Sequence, residues 1–286
     1  MLTTSGNHKQ VFFLGQNSHG TAEPWEYRTK LISSVNTGKK IAVVIECPTV
    51  DMLLYEIKKE TYSGPELRKS LMMSPYWWVR SAQFFRFLSL LPTQAHLFGV
   101  DIPFEILNHN HFMSKLRLSR RDKYEMAGQL LEVDVTNKAS VAELSYTQRE
   151  DILHQKLRVI LRCEYAYVFV ICHNFHASKH SWLPFHSLCQ RILSEKDTGL
   201  AVTSVGSFSR QMEFISTDGD RGLNRHKLNG SLRALSDSVY EVKMVSSLYR
   251  NELSDALPLT VSIPMHFDEI VVWESESAVS MEGWHA

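Results

Sequence analysis

The run Ile41-Ala42-Val43-Val44-Ile45 constrains this chain more than any other stretch. β-Branched residues dominate it and no polar position alternates with them, the pattern of a central parallel strand covered on both faces. Comparable runs stand at Val11 to Leu14, His96 to Val100 and Tyr165 to Cys172. Leu200 to Val205, Gln211 to Ile215 and Glu269 to Trp273 read as further strands. Helical spacing fills the intervals: Glu23 to Val35, Thr49 to Lys59, Glu66 to Leu71, Val79 to Leu91, Arg121 to Leu131 and Trp182 to Glu195. Thr147-Gln148-Arg149-Glu150 reads as a capping box that opens one more helix, and Pro48 as a strand breaker.

Strands alternating with helices predict an α/β fold: a mixed, mostly parallel sheet flanked by helices on both faces. A short helical insertion is expected over 103–160, a loop over 137–145, and a frayed tail beyond Trp273. No repeat or low-complexity linker divides the chain, so 1–286 reads as a single domain.

Charge narrows the partners. Lys plus Arg equals Asp plus Glu at 31 each, so no overall field draws nucleic acid. The basic cluster from Lys115 to Arg121 is interrupted by leucines and reads as a helix-covering face. No apolar stretch is long enough for a membrane span, and Met1 to Gln10 does not resemble a signal peptide. The four cysteines form no C-x-x-C pair, which points to reduced thiols in a cytoplasm. A small-molecule substrate is the expected partner; oligomeric state is not legible.

Chemistry gathers where strands end. The first run leads through Gly15 to Gln16 and His19, the second ends in Glu46, the third in Asp101, and the fourth in His173 with His176 close behind. In a parallel sheet these ends share the ligand side. Taken singly, each has an ordinary structural reading. His19 can be a turn residue, Glu46 a cap, Asp101 a turn former, and His173 and His176 can hydrogen-bond backbone. Together they make a candidate site. Trp77 and Trp78 lie in an aromatic cluster that reads first as core and second as an apolar substrate wall.

Other chemistries fit poorly. The sequence holds no G-x-S-x-G elbow, phosphate loop, dinucleotide fingerprint or H-E-x-x-H. Cys172 beside His173 reads as a buried small hydrophobe. His19, Glu46, His173 and His176 have the ligand types for a divalent metal, but their spacing is not diagnostic; a site without metal or cofactor is the preferred reading.

The motif Leu14-Gly15-Gln16-Asn17-Ser18-His19-Gly20, a helix carrying Glu23 and Arg28, and Val43-Val44-Ile45-Glu46 together resemble the erythromycin esterase-like family. Phe98-Gly99-Val100-Asp101, Arg121-Asp122 with Met126-Ala127, Val170 to His176 and Phe267 to Val272 extend the resemblance over most of the chain. Some family members carry annotation around polysaccharide (succinoglycan) biosynthesis. The resemblance implies a mixed α/β sheet and, from the resistance members, hydrolysis of macrolide lactones. His19 matches the family's general base; Arg28, Glu46, His173 and His176 match the polar residues around it. Two departures are visible: Gln16 stands where the family carries an acid, and 103–160 is short beside the helical insertion of the resistance esterases. A smaller or differently presented substrate follows.

The resulting expectation is a metal-independent ester or lactone hydrolase acting on a polyketide-like natural product. In it His19 takes a proton from water, Glu46 orients the imidazole, Arg28 and His176 receive the oxyanion, and His173 protonates the leaving alcohol. Gln16, Asp101, Trp77 and Trp78 would contact substrate. A cyclase, dehydratase or lyase in the same pocket, or a binding protein without chemistry, are the alternatives.

Overall fold

The computed structural model describes residues 8–35, 38–72, 74, 76–103, 122–137, 144–181, 185–195, 199–217, 223–229, 232–235, 239–244, 257–262 and 265–281. Six strands form the parallel body of the sheet: β1 (Lys9–Gln16), β2 (Ile41–Pro48), β3 (Ala95–Asp101), β4 (Tyr167–His173), β5 (Leu200–Thr217) and, after four more strands in sequence, β10 (Glu269–Glu276). Their spatial order is β10-β5-β1-β4-β2-β3, and every pairing along it is parallel. β6 (Leu223–Asn229) adds an antiparallel edge to the far half of β5, and β7 (Leu232–Ala234), β8 (Val239–Met244) and β9 (Leu257–Ser262) make a separate antiparallel sheet.

Strand pleating splits the apolar runs between two cores. Phe13, Val44, Val168 and Val170 face one cluster, with Ile152, Leu157 and Ile192 from the covering helices. Phe12, Val43, Phe169 and Ile171 face the other, with Trp25, Met52 and Phe84. Successive side chains on a strand alternate in direction, so an unbroken apolar run serves both layers. The mixed α/β sheet with helices on both faces is therefore the observed architecture.

The helices are α1 (Glu23–Ser34), α2 (Thr49–Lys59), α3 (Gly64–Leu71), α4 (Ala82–Ser89), α5 (Asp122–Thr136), α6 (Tyr146–Leu161), the single turn α7 (Asn174–Ala177) and α8 (Leu188–Ser194). Several boundaries differ from the sequence reading. Val79 to Leu91 is not one helix: Trp77–Arg80 is a 3₁₀ turn, and α4 starts afresh after Ser81, whose hydroxyl accepts the Phe84 N–H. The capping box of α6 lies two residues earlier, at Ser145 and Gln148, which leaves Arg149 and Glu150 inside the helix. β2 runs through Pro48, the expected fifth and sixth strands are one strand, and α8 is shorter than Trp182 to Glu195. The whole basic cluster from Lys115 to Arg121 and much of the expected loop over 137–145 lie outside the described residues.

The tail is also different from expectation. β10 continues to Glu276, and the residues after it cross the molecule as a strap. The Val279 N–H donates to Gly20 O at 2.9 Å, the Ala22 N–H to Ser277 O at 2.8 Å, and the Ala82 N–H to Ser280 O at 2.9 Å. Side chains add to it: Glu23 accepts the Ser277 N–H at 2.7 Å and Gln83 the Ser280 N–H at 2.8 Å. Val279 is buried in the core, so hydrogen bonds and apolar burial both hold the strap.

Candidate functional site

Register brings the strand ends together. Gln16 pairs with His173 across β1 and β4, and Ile45 pairs with Ile171, which sets Glu46 beside the end of β4. Pro48 pairs with Asp101 at the ends of β2 and β3. Gly15 lets the chain close here: a Cβ on it would lie 2.3 Å from Asn174 Oδ1, so only glycine admits the α7 turn over β1.

Glu46 is the hub. Its Oε2 accepts the His173 backbone N–H at 2.7 Å and lies 3.4 Å from His19 Nε2. Its Oε1 accepts from Arg149 Nη2 at 2.8 Å and lies 3.1 Å from His176 Nε2. Burial alone would raise this carboxyl. The neighbouring His176 and His19 outweigh it and hold Glu46 well below the usual carboxylate range.

His176 sits between two carboxylates, with Nε2 toward Glu46 and Nδ1 in an ion pair with Glu150 Oε1. Burial opposes its charge, but Glu150 and Glu46 raise its pKa to about 10. It is a fixed imidazolium at neutral pH. Arg149 forks between Glu46 and Asp101, with Nε on Asp101 Oδ1 at 2.9 Å and Nη2 on Oδ2 at 2.7 Å. Asp101 also accepts the Ile102 N–H at 2.8 Å and the Tyr76 hydroxyl at 3.0 Å. Beneath them the buried Lys156 donates to Asp101 O at 2.9 Å and pairs with Asp134 at 2.5 Å.

His19 stacks on Trp78, ring centroids 4.6 Å apart and planes within 14°. Trp78 is buried against Trp25 and Phe84, so it is core and at the same time the floor under the imidazole. Trp77 is half-buried against the same cluster. On the other side of His19, Gln16 binds Nδ1 through its Nε2, while Arg28 Nη1 donates to Gln16 Oε1. Arg28 is wholly buried behind Gln16. It donates to Leu14 O at 2.9 Å, and burial brings its pKa down to about 9, still charged at neutral pH.

His173 behaves as its ordinary reading said, though within the cluster. Its Nε2 donates to Asn17 O at 2.7 Å, its Nδ1 caps α7 through the Phe175 N–H at 3.4 Å, and burial lowers its pKa to about 4. A neutral ring with both nitrogens committed to backbone positions the two turns.

His19, Glu46, His173 and His176 thus converge, with Asp101 joined through Arg149 and Arg28 joined through Gln16. The cluster is not sealed from solvent: the side chains of His19 and Arg149 remain 12% and 18% exposed. Arg149 and Glu150 were missed in the sequence because the capping-box reading assigned them to the helix end. Their spacing is the signal that would have found them: they stand four and three residues before Leu153, in line with the stripe Leu153-Leu157-Ile160. Among the described residues no cluster has the form of a metal site, and no helix is long and apolar enough to cross a membrane.

No family model and no curated protein matches the sequence. Solved structures do share the fold. A succinoglycan biosynthesis protein superposes with a TM-score of 0.66 at 12% identity, covering 97% of this chain and 90% of its own. A Bacillus cereus protein gives 0.63 at 11%, covering 96% and 91%. A mutant of erythromycin esterase in its open conformation gives 0.60 at 12%, covering 96% and 92%. The chain has the fold of the erythromycin esterase-like proteins over nearly its whole length.

Proposed function

We propose, from this shared fold and the cluster it carries, that the chain is a hydrolase in which water attacks the carbonyl of an ester or lactone. The observation behind the reading is the convergence of His19, His176 and Arg149 on Glu46, in a cluster that keeps partial exposure at His19 and Arg149. Water addition turns a carbonyl oxygen into an anion, and preorganised donors in a largely dry site stabilise that charge best. His19, His176 and Arg149 place N–H donors around Glu46, and the oxyanion is stabilised by these local donors rather than by a net positive field, since Glu46, Glu150 and Asp101 balance the two cations. His19 and Glu46 together handle the proton of the attacking water; such a role is worth about 10²–10⁴ in rate. Burial of Arg28 assigns it to holding Gln16 rather than to the oxyanion, and the commitment of both His173 nitrogens assigns that ring to positioning. A polyketide-like lactone smaller than a macrolide is the proposed substrate class, and the chemistry needs no cofactor.

The test is a panel of p-nitrophenyl acetate, γ-lactones and macrocyclic lactones given to wild type and His19→Ala. Hydrolysis by wild type that falls at least about 10²-fold in the variant is the expected result. Equal rates overturn it.

One observation favours a second reading. Gln16 gives His19 a neutral amide partner where an acid would give it charge, so the pair can instead polarise a carbonyl and move a proton on carbon, as a cyclase, dehydratase or lyase does. Product mass separates them: gain of water belongs to the hydrolase, an unchanged or dehydrated mass to the second reading.

A further inference from the structure

The direction of proton transfer in this pocket is set by Gln16. Arg28 can only donate hydrogen bonds, so the atom of Gln16 facing it must be the carbonyl oxygen. That orientation turns the amide NH₂ toward His19, and Nδ1 must then be the acceptor. In a neutral imidazole the proton consequently sits on Nε2, the nitrogen 3.4 Å from Glu46 Oε2. Three features fix this chain of donors: Arg28 is anchored on the Leu14 and Gly15 carbonyls, Gln16 is fully buried, and Trp78 holds the plane of the ring.

We propose that Gln16 is a positioning residue that locks His19 as an N–H donor, and that Glu46, not His19, accepts the proton of water. This rests on the hydrolase reading and reverses the roles within its pair. As water attacks, its oxygen bonds to the carbonyl carbon, its proton passes to Glu46 Oε2, and the carbonyl π pair moves to the oxygen bound by His19 Nε2–H. Collapse breaks the carbon–alkoxide bond, and the alkoxide takes the proton back from Glu46. Acid and alcohol leave, and both side chains return to their starting states. Glu46 beside two cations is a weak base and, once protonated, a strong acid. Such a pair suits strained or activated acyl groups, with poor leaving alcohols helped by the returned proton.

The experiment is ¹⁵N NMR of the histidine rings in the full chain at neutral pH, with the His19 signals assigned by their loss in His19→Gln. Expected is the tautomer protonated on Nε2 in wild type and a switch to Nδ1–H in Gln16→Glu, where a carboxylate accepts from Nδ1. If Gln16→Glu does not fold, Gln16→Leu removes the donor, and a mixture of tautomers is expected. Nδ1–H in wild type, or a tautomer indifferent to residue 16, overturns the assignment. The readout needs no substrate, so the two ideas fail separately. An Nε2–H ring in a protein that cleaves no ester refutes the hydrolase; an Nδ1–H ring in an active esterase refutes the role of Gln16.

Discussion

His176 and His173 stand three residues apart on one turn, yet their surroundings move them in opposite directions. His176 is raised to about 10 by two carboxylates despite burial, and His173 is lowered to about 4 by burial. Each difference from the ordinary value of 6.5 is also a dependence of stability on pH. A raised folded pKa stabilises fully below pH 6.5, and the contribution is lost as pH climbs toward 10. A lowered one stabilises above pH 6.5, and that contribution is lost as pH falls toward 4. These two residues therefore put a stability maximum near pH 6.5, and urea unfolding across pH should show the alkaline limb flattened in His176→Asn. Glu46→Gln takes one of two carboxylate partners from each of His176 and Arg149, leaving Glu150 and Asp101 in place, and should cost about 1.5–3 kcal/mol in the same assay. At this scale the sequence was informative wherever a polar side chain ended an apolar run: Gln16, Glu46, Asp101 and His173 all follow that rule. Protonation was not legible, because it depends on Glu150 and Arg149, which arrive from a helix far along the chain.

Elements carry these residues with different degrees of local encoding. Unbroken apolar runs announced β1, β2, β3 and β4, since a strand covered on both faces has no other composition. The strap beyond Glu276 had no such signal; its pairing with Gly20, Ala22 and Ala82 is entirely non-local. α6 was visible as a helix with its start placed two residues late, because Ser145/Gln148 and Thr147/Glu150 satisfy the same capping pattern and only the fold chooses between them. Glu150 and Lys156 are buried with Leu153 and Leu157, and Arg149, one turn before Leu153, reaches Glu46 and Asp101. The close approach of α7 to β1 makes its own prediction. Gly15→Ala would place a methyl 2.3 Å from Asn174 Oδ1, and should destabilise by about 1–3 kcal/mol, read from the urea midpoint. An unchanged midpoint would show that the turn does not need this glycine.

Across the whole molecule, the strap joins the turn that carries His19 to the helix that follows Trp78, the two sides of one stacked pair. Glu23→Ala with Gln83→Ala removes its side-chain acceptors at surface positions. Each hydrogen bond contributes about 0.5–1.5 kcal/mol, so the double variant should lose about 1–3 kcal/mol and become open to carboxypeptidase digestion from the tail. Digestion at the wild-type rate would remove the strap from the account. The fold itself is shared with proteins only 11–12% identical, so the claim of chemistry rests on this chain's own side chains. The most direct measurement is turnover of p-nitrophenyl acetate and a γ-lactone in H₂¹⁸O, with the products weighed by mass spectrometry. One ¹⁸O in the acid product, formed by wild type and lost with both His19→Ala and Glu46→Gln, is the predicted result. Products without ¹⁸O, or label incorporated at equal rates by all three proteins, would contradict it.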